Sequence, residues 1–342
     1  IKFLTKQTKI KNKEKFKMKT LVTGANGFLG SHLVRILLEH GEDVRAFIKT
    51  GTSEETINEL NGEMERVYGD IRNLYDVMRA VNGCEKIYHV AAIPGYWAKT
   101  PYDFYEVNWF GTRKIMQAMA KNVARKIVYT STSNVLGKNE RSLGKEGTEG
   151  DFPKDESELD GPYSRSKFLA EQEVREYCSR YEKEFVIAHP TAMLGKFDLK
   201  PSNQGKYIRM FLNDKFFGFV DRTLNFVSAR DCALGHYLAM EKGKHGERYI
   251  LGGENIQMGN FFSTIRDIIG IKKPTFKVPY ALAYATAFVS ENLSKITGKE
   301  PIAVLEGVRE IKHSTAYSIE KARRELNYAP GKIEDAIREA VE

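Results

Sequence analysis

Tyr163 and Lys167 have the types and the spacing for acid–base chemistry. On a helix, positions i and i+4 share one face, so the phenol and the ammonium point into one cleft. A cation beside a phenol favours the phenolate, and the spacing predicts a Tyr163 pKa drawn down towards neutrality. Such a phenol can give or take a proton at a reacting oxygen. Alone, the YxxxK pattern also fits a surface tyrosine and lysine on any amphipathic helix. A second signal is the hydroxyl run Tyr129-Thr130-Ser131-Thr132-Ser133-Asn134, which closes an apolar strand. A hydroxyl there can hydrogen-bond a carbonyl and polarise it. Thr132 is the expected residue, with Ser131 and Ser133 as substitutes, and the remaining hydroxyls serve the turn.

The third signal is Thr23-Gly24-Ala25-Asn26-Gly27-Phe28-Leu29-Gly30, between the first apolar strand and the first helix. Gly24 permits a tight turn, Gly27 lets backbone approach a pyrophosphate, and Gly30 allows close helix–strand packing. The helix start beyond them offers free N–H groups and partial positive charge to phosphates. Gly24, Asn26, Gly27, Phe28, Leu29 and Gly30 are therefore expected dinucleotide contacts.

These groups need a scaffold, and the chain's periodicity describes one. Apolar strand runs at Leu21–Thr23, Val44–Ile48, Glu65–Tyr68, Lys86–Val90, Lys126–Thr130 and Phe185–His189 alternate with helical segments. The helices are expected at Leu29–His40, Ser53–Leu60, Leu74–Val81, Tyr102–Lys121 and Tyr163–Tyr181. This rhythm predicts an α/β fold, a Rossmann-type doubly wound parallel sheet with helices on both faces. From about Pro190 the rhythm changes. A loop is expected over 195–205, a helix over 207–217, a strand at Leu224–Val227 and a helix at Cys232–Lys242 capped by Asp231. A strand at Arg248–Leu251 follows, and the chain then turns mainly helical. Residues 18–190 with about 224–251 form the expected NAD(P)-binding domain. About 191–223 and 252–342 form an interleaved, smaller, mainly helical substrate lobe.

Composition, with 42% hydrophobic and 29% charged residues, excludes fibrous and disordered classes. The net charge of +8 is concentrated in residues 1–17, where seven lysines face the single Glu14. That segment reads as a disordered basic tail, and the rest is too nearly neutral to call for nucleic acid. Glycines and an asparagine in 20–30 exclude a secretory h-region. The longest weakly polar run, Val278–Val289, falls short of the roughly 20 residues that span a bilayer, so no membrane insertion is expected. Cys84, Cys178 and Cys232 form no CxxC and read as reduced thiols of a cytoplasmic protein. The seven histidines show no metal-binding spacing, and no metal is expected.

The glycine turn, Gly69-Asp70, His89-Val90-Ala91-Ala92, Val107-Asn108-x-x-Gly111-Thr112 and YxxxK occur in the order of a known family. From Met18 nearly to its end the chain resembles the extended short-chain dehydrogenase/reductase superfamily, with its NAD-dependent epimerase/dehydratase family. Within it, Val44-Arg45-Ala46, Tyr163–Glu173, Arg248–Asn255 and Leu293–Pro301 resemble the dihydroflavonol-reductase-like branch, and most the hopanoid-associated sugar epimerase group. The resemblance implies Asp70 and Ile71 at the adenine, Ala91 and Ala92 along the cofactor, and Tyr163 with Lys167 at the nicotinamide ribose. It implies Thr132, Tyr163, Lys167 and Asn108 as catalytic, and Thr130, Ser131, Pro190 and Thr191 as further cofactor contacts. His189 stands where many members have Arg.

Members that prefer NAD place a carboxylate after the second strand. Here the stretch reads Phe47-Ile48-Lys49-Thr50-Gly51-Thr52, and Lys49 matches the base that meets a 2′-phosphate, so NADP(H) is favoured over NAD(H). The expected reaction is reversible reduction of a ketone or aldehyde by hydride transfer, with Tyr163 as general acid/base. Tyr96, Trp97, Ser133, Met193 and Arg209 are expected at the small-molecule substrate, and most other lobe aromatics in the core. One alternative is a nucleotide-sugar epimerase or dehydratase. The arginine many such enzymes place before the strand at Asn225–Val227 is Leu224 here, with Arg222 two positions off. Another is a non-catalytic dinucleotide-binding sensor or scaffold, though such members commonly lose the Tyr or Lys kept here. Relatives often dimerise through helices at about 103–122 and 162–181, which makes a homodimer an expectation.

Overall fold

The computed structural model describes residues 18–136, 145–213, 215, 218–272, 274–310 and 315–341. The expected tail 1–17, and Phe216 and Phe217 of the lobe, lie outside these residues.

Strands β1 (Lys19–Thr23), β2 (Val44–Lys49), β3 (Glu65–Gly69), β4 (Cys84–His89), β5 (Lys126–Thr130) and β6 (Glu184–Pro190) belong to one sheet. With β9 (Arg248–Leu251) they form a seven-stranded sheet in the order β3-β2-β1-β4-β5-β6-β9. Every neighbouring pair is parallel. The order reverses between β1 and β4, and that switch point opens a crevice at the strands' C-terminal ends. Both faces are covered, which is why the central strands read as continuous apolar runs. On one face lie α1 (Phe28–Glu39) and, from late in the chain, α7 (Ala229–Lys242) and α11 (Glu320–Leu326). On the other lie α2 (Leu74–Val81), α4 (Gly111–Ala120) and α5 (Pro162–Arg180).

The helix expected over Tyr102–Lys121 is three pieces. Helix α3 (Pro101–Phe104) runs into a π-helical turn at Tyr105–Phe110 and then into α4. Such a turn accommodates one extra residue and re-aims its side chains. Here it carries Asn108, whose amide reaches back to the backbone of Ile93. The segment Ser53–Leu60 forms a 3₁₀ helix only over Glu55–Leu60.

A second, three-stranded sheet, β10-β8-β7, organises the smaller lobe. It comprises β7 (Ala192–Leu194), β8 (Thr223–Ser228) and β10 (Glu254–Gln257). The expected domain segment 224–251 is therefore divided, with β8 in this small sheet and β9 in the large one. Helices α6 (Asn203–Leu212), α8 (Met258–Ile269) and α12 (Ile333–Val341) close a core of Phe211, Phe219, Phe226, Phe261 and Phe262 around it. Helix α6 begins earlier than the expected 207–217, because the Ser202 hydroxyl caps it by accepting from the Gly205 amide, and it ends at Leu212. Ser228, not Asp231, caps α7; Asp231 instead accepts from the Gly331 amide at 3.0 Å.

Helices α9 (Tyr280–Thr297) and α10 (Leu305–Glu310) complete the lobe. Only Ala287 of α9 is fully buried. No helix among the described residues is long and apolar enough to cross a membrane.

Candidate active site

The glycine turn leaves β1 with Gly24 at φ +67°, a conformation that only glycine adopts without strain. A Cβ there would lie 2.9 Å from Ala91 Cα, and a Cβ at Gly30 would overlap the Gly24 carbonyl oxygen. Gly27 precedes α1 with no side-chain cap, and no acidic residue occupies the helix's first turn. Open N–H groups, a bare backbone and no opposing carboxylate fit a pyrophosphate. Asn26 braces the turn by donating to Thr52 Oγ1 (2.8 Å) and to the Ser53 carbonyl (2.7 Å). Phe28 lies edge-on to His32, and Leu29 is buried in the core beneath.

A buried polar chain ties this turn to the π turn. Thr23 Oγ1 accepts from the amides of Val90 and Ala91 and bonds His89 Nδ1 at 2.8 Å. His89 Nε2 meets Thr112 Oγ1 at 2.9 Å, and Thr112 donates to the Asn108 carbonyl at 2.6 Å. This sequence of donors is consistent with one assignment, a neutral His89 protonated on Nε2. Burial, which pushes His89 down to about 3, keeps it neutral. Ala91 is thereby held against Gly24, and Ala92 follows it.

At the far end of β2, Lys49 is exposed and close enough to Asp70 to lower its carboxyl further. The larger cause is Arg72, which grips Asp70 through Nη2 at 2.7 Å and Nε at 3.0 Å. Ile71 is buried against Gly111.

The expected catalytic pair, Tyr163 and Lys167, is positioned by two elements. Strand β5 ends at Thr130, whose hydroxyl turns away to His236 Nε2 (3.0 Å). Its carbonyl accepts from Lys167 Nζ at 2.6 Å. The next residues stay extended, and Thr132 starts a 3₁₀ turn at Ser133–Val135. Helix α5 starts at Pro162, and one turn of it places Tyr163 and Lys167 on the same face. There the Tyr163 phenol lies near the Thr132 hydroxyl, which favours its ionised form. The Tyr163 ring lies edge-on between Tyr96 (6.2 Å) and Phe104 (5.9 Å).

The electrostatics depart from the expected lowering of the phenol. Burial pushes Tyr163 up to about 12, opposed by the nearby Thr132 hydroxyl and reinforced by Glu306 and Glu310. Lys167 does not offset this, because its ammonium is directed at the Thr130 carbonyl and over the Tyr129 ring. Burial also draws Lys167 down to about 7, with Glu171 one turn on pulling the other way.

The remaining expected residues fall into two groups. Asn108 is buried under the site, with Oδ1 accepting from Ile93 N (2.8 Å) and Nδ2 donating to Ser166 Oγ (3.1 Å). Ser131 Oγ is buried without a partner. Pro190 and Thr191 follow β6, and Thr191 donates to Asn225 Oδ1 at 2.9 Å. Tyr96 reaches the pair. Trp97 instead donates to Ser294 of α9 (3.3 Å), and Arg209 donates to the Asp198 carbonyl on its own lobe (2.8 Å). Met193 packs against the large core, and the Ser133 carbonyl accepts from Tyr317 at 2.9 Å.

Several residues around the site escaped the sequence reading. Asn134 Nδ2 donates to Tyr96 Oη, which donates to Glu310 at 2.7 Å. Glu306, buried near Tyr163, accepts from Ser164. Beneath Lys167, the fully buried Glu171 accepts from the half-buried Arg248 through Nε at 3.0 Å and lies 3.4 Å from Nε2 of the buried His189. None of these carries a local motif; each depends on a residue from a distant segment.

Residues 20–252 match the model of the NAD-dependent epimerase/dehydratase family. The chain belongs to that family. Among curated relatives of this epimerase/dehydratase-family protein is a putative dihydroflavonol 4-reductase of Synechocystis. The two are 33% identical, over 94% of this chain and 92% of the relative. Another is the sterol demethylase protein B of Methylococcus capsulatus, 32% identical over 95% and 97%. The crystal structure of gox2253 superposes with a TM-score of 0.83 at 36% identity, over 95% of this chain and 97% of that one. The family member described here is thus an NAD(P)-dependent oxidoreductase of the extended short-chain dehydrogenase/reductase type.

Proposed function

We propose that this protein reduces an apolar ketone or aldehyde to an alcohol, reversibly, with NADP(H). The observation that carries the reading is Tyr163 placed beside Thr132 at the crevice end of β5, with Lys167, one helical turn on, bonded to the Thr130 carbonyl behind it. The bound nicotinamide supplies the hydride. Thr132 and Tyr163 hold the carbonyl oxygen, and Tyr163 gives its proton to the alkoxide that forms. A phenol raised to about 12 is fully protonated at neutral pH, which suits the reductive direction. Lys167 and the Thr130 carbonyl fix the pocket behind it, where the ribose is expected.

Preference for NADP(H) is supported at the end of β2. The first carboxylate after Lys49, Glu54, lies 3.3 Å from Arg66 and is not free to take a ribose. Lys49 is exposed there for a 2′-phosphate. The apolar substrate is supported by Tyr96 and Phe104 flanking Tyr163, and one relative is named for a sterol.

One observation favours a second reading. Arg222 lies near Tyr96, and its Nη1 is buried without a partner. An anionic substrate such as a nucleotide sugar would satisfy it, as an epimerase requires. NADPH and NADH oxidation across a panel of apolar carbonyls tests the first reading. Turnover of a nucleotide sugar alone, with no net cofactor consumption, hands the case to the second. A homodimer through α4, α5 and the stacked Trp109–Phe110 pair is proposed with it and tested by sedimentation.

A further inference from the structure

Helix α9 is built inside out for a helix in water. Its inward row is small and polar: Ala283, Ala287, Ser290, Glu291 and Ser294. Ser290 Oγ accepts from the Ile302 amide at 2.7 Å, and Glu291 accepts from the Leu305 amide at 2.6 Å. Ser294 accepts from Trp97 Nε1 and donates to the Lys299 carbonyl at 2.6 Å. These bonds fix the helix's rotation. Its large apolar side chains consequently face outward: Leu282 is 58% exposed, Phe288 54%, Val289 56%, Leu293 54% and Ile296 83%. Phe276, before the helix, and Ile302, whose amide bonds Ser290, are also exposed, at 60% and 79%. Rotating the row inward would break every one of those bonds, so the exposure is a property of the fold. A contiguous apolar surface of this kind marks an interaction site.

Charge identifies the partner. Lys272, Lys277, Lys295 and Lys299 are exposed around the helix, and Lys206 stands beside it. Asp221 opposes Lys277 and Glu300 opposes Lys206, Asp160 lies near Tyr280 at the start of the helix, and Glu291 points inward. We propose that α9 docks this protein on an anionic lipid bilayer, lying in the headgroup plane with its outward row in the acyl boundary. An apolar row rimmed by lysines is the pattern of an interfacial helix, and each lysine near an anionic surface adds to binding. A second copy of this chain fits worse, because pairing the two faces would set lysines against lysines. Trp97, bonded to α9, adjoins Tyr96 at the catalytic tyrosine, so docking would bring the mouth of the site to the lipid surface. The inference does not depend on which reaction the site performs.

Flotation of the full chain with phosphatidylcholine vesicles, and with phosphatidylcholine–phosphatidylglycerol vesicles, tests it without any turnover. The chain is expected to float with the anionic vesicles and to be released by high salt. The variant Leu282→Ser/Phe288→Ser/Leu293→Ser/Ile296→Ser should lower the bound fraction about tenfold or more. Lys295→Gln/Lys299→Gln should weaken binding only to the anionic vesicles. The single variant Ile296→Asp, at the most exposed position, keeps the test sound should the fourfold variant misfold, as read by thermal melting and cofactor titration. Three outcomes would overturn the proposal. One is no flotation with either vesicle. Another is undiminished flotation of the α9 variants, which would assign binding to the lysine-rich residues 1–17. The third is a dimer that the same variants convert to monomer, which would assign the face to a second copy.

Discussion

Glu306 accepts from both the amide and the hydroxyl of Ser164, at 3.1 and 2.8 Å, and thereby fastens the C-terminal lobe to the first turn of α5, the helix of Tyr163 and Lys167. Its carboxyl sits at the helix's N-terminal end, where negative charge is favoured, yet burial still pushes it up to about 7. The environment thus holds a carboxyl near neutrality next to Tyr163.

Between its ordinary value of 4.5 and about 7, the folded state binds more protons at Glu306 than the unfolded state. This contribution to stability is therefore full at low pH and is lost as pH rises through about 7. Glu306→Gln keeps an acceptor for Ser164 and removes the titration. Its melting temperature should lose less than the parent's between those two pH values. An identical pH dependence in the two proteins would refute the assignment.

Tyr163→Phe should lower kcat by about 10²–10⁴-fold while leaving cofactor affinity nearly unchanged, as measured by steady-state kinetics and titration. Thr132→Ala removes only the partner hydroxyl and should cost less. Retained turnover in Tyr163→Phe would remove the phenol from the chemistry.

Gly24→Ala must strain a left-handed backbone and push Ala91 aside. Gly30→Ala meets the Gly24 carbonyl at once. Each should destabilise the fold by about 1–3 kcal/mol and weaken dinucleotide binding. Calorimetry with and without cofactor separates the two effects.

Lys49→Ala should weaken NADPH binding about tenfold and leave NADH within about twofold, since one charge-assisted contact is worth roughly 1.4 kcal/mol or more. Equal losses for both cofactors would place Lys49 away from the 2′-phosphate.

Glu171 is fully buried between Arg248 and His189. Glu171→Ala leaves the guanidinium without its anion and should cost about 3–5 kcal/mol in denaturant unfolding. If loss of support under Lys167 also matters, the pH profile of turnover will shift. A purely structural role would leave that profile in place.

The sheet, its helices and the glycine turn were legible in the chain because each is a local pattern. Strand–turn–helix around Gly24–Gly30 and the spacing of Tyr163 and Lys167 need no distant information. The π turn was not legible, since Tyr102–Lys121 is helical by period and only the Asn108–Ile93 contact reveals the extra residue. Capping of α7 was misassigned to Asp231 because Ser228 and Asp231 both suit such a position, and the Gly331 amide, far along the chain, claims Asp231. The direction of the Tyr163 shift was misjudged for a related reason. Proximity to a lysine shows in the sequence, whereas burial and the pull of the Thr130 carbonyl on that lysine do not. The glutamates beside Tyr163 come from a six-residue helix that carries no signal of its own.

The backbone passes from the large sheet to the small one after β6, returns through α7 and β9, and leaves again at Gly252-Gly253 for β10. It comes back once more at α11 before ending in α12 against the small sheet. Two bodies sewn together by so many crossings have no single hinge about which to swing apart. Neither can be excised as an independent folding unit, so heating should produce one cooperative endotherm rather than two. Substrate entry is then expected to draw on side chains and loops at the rim rather than on separation of the two bodies.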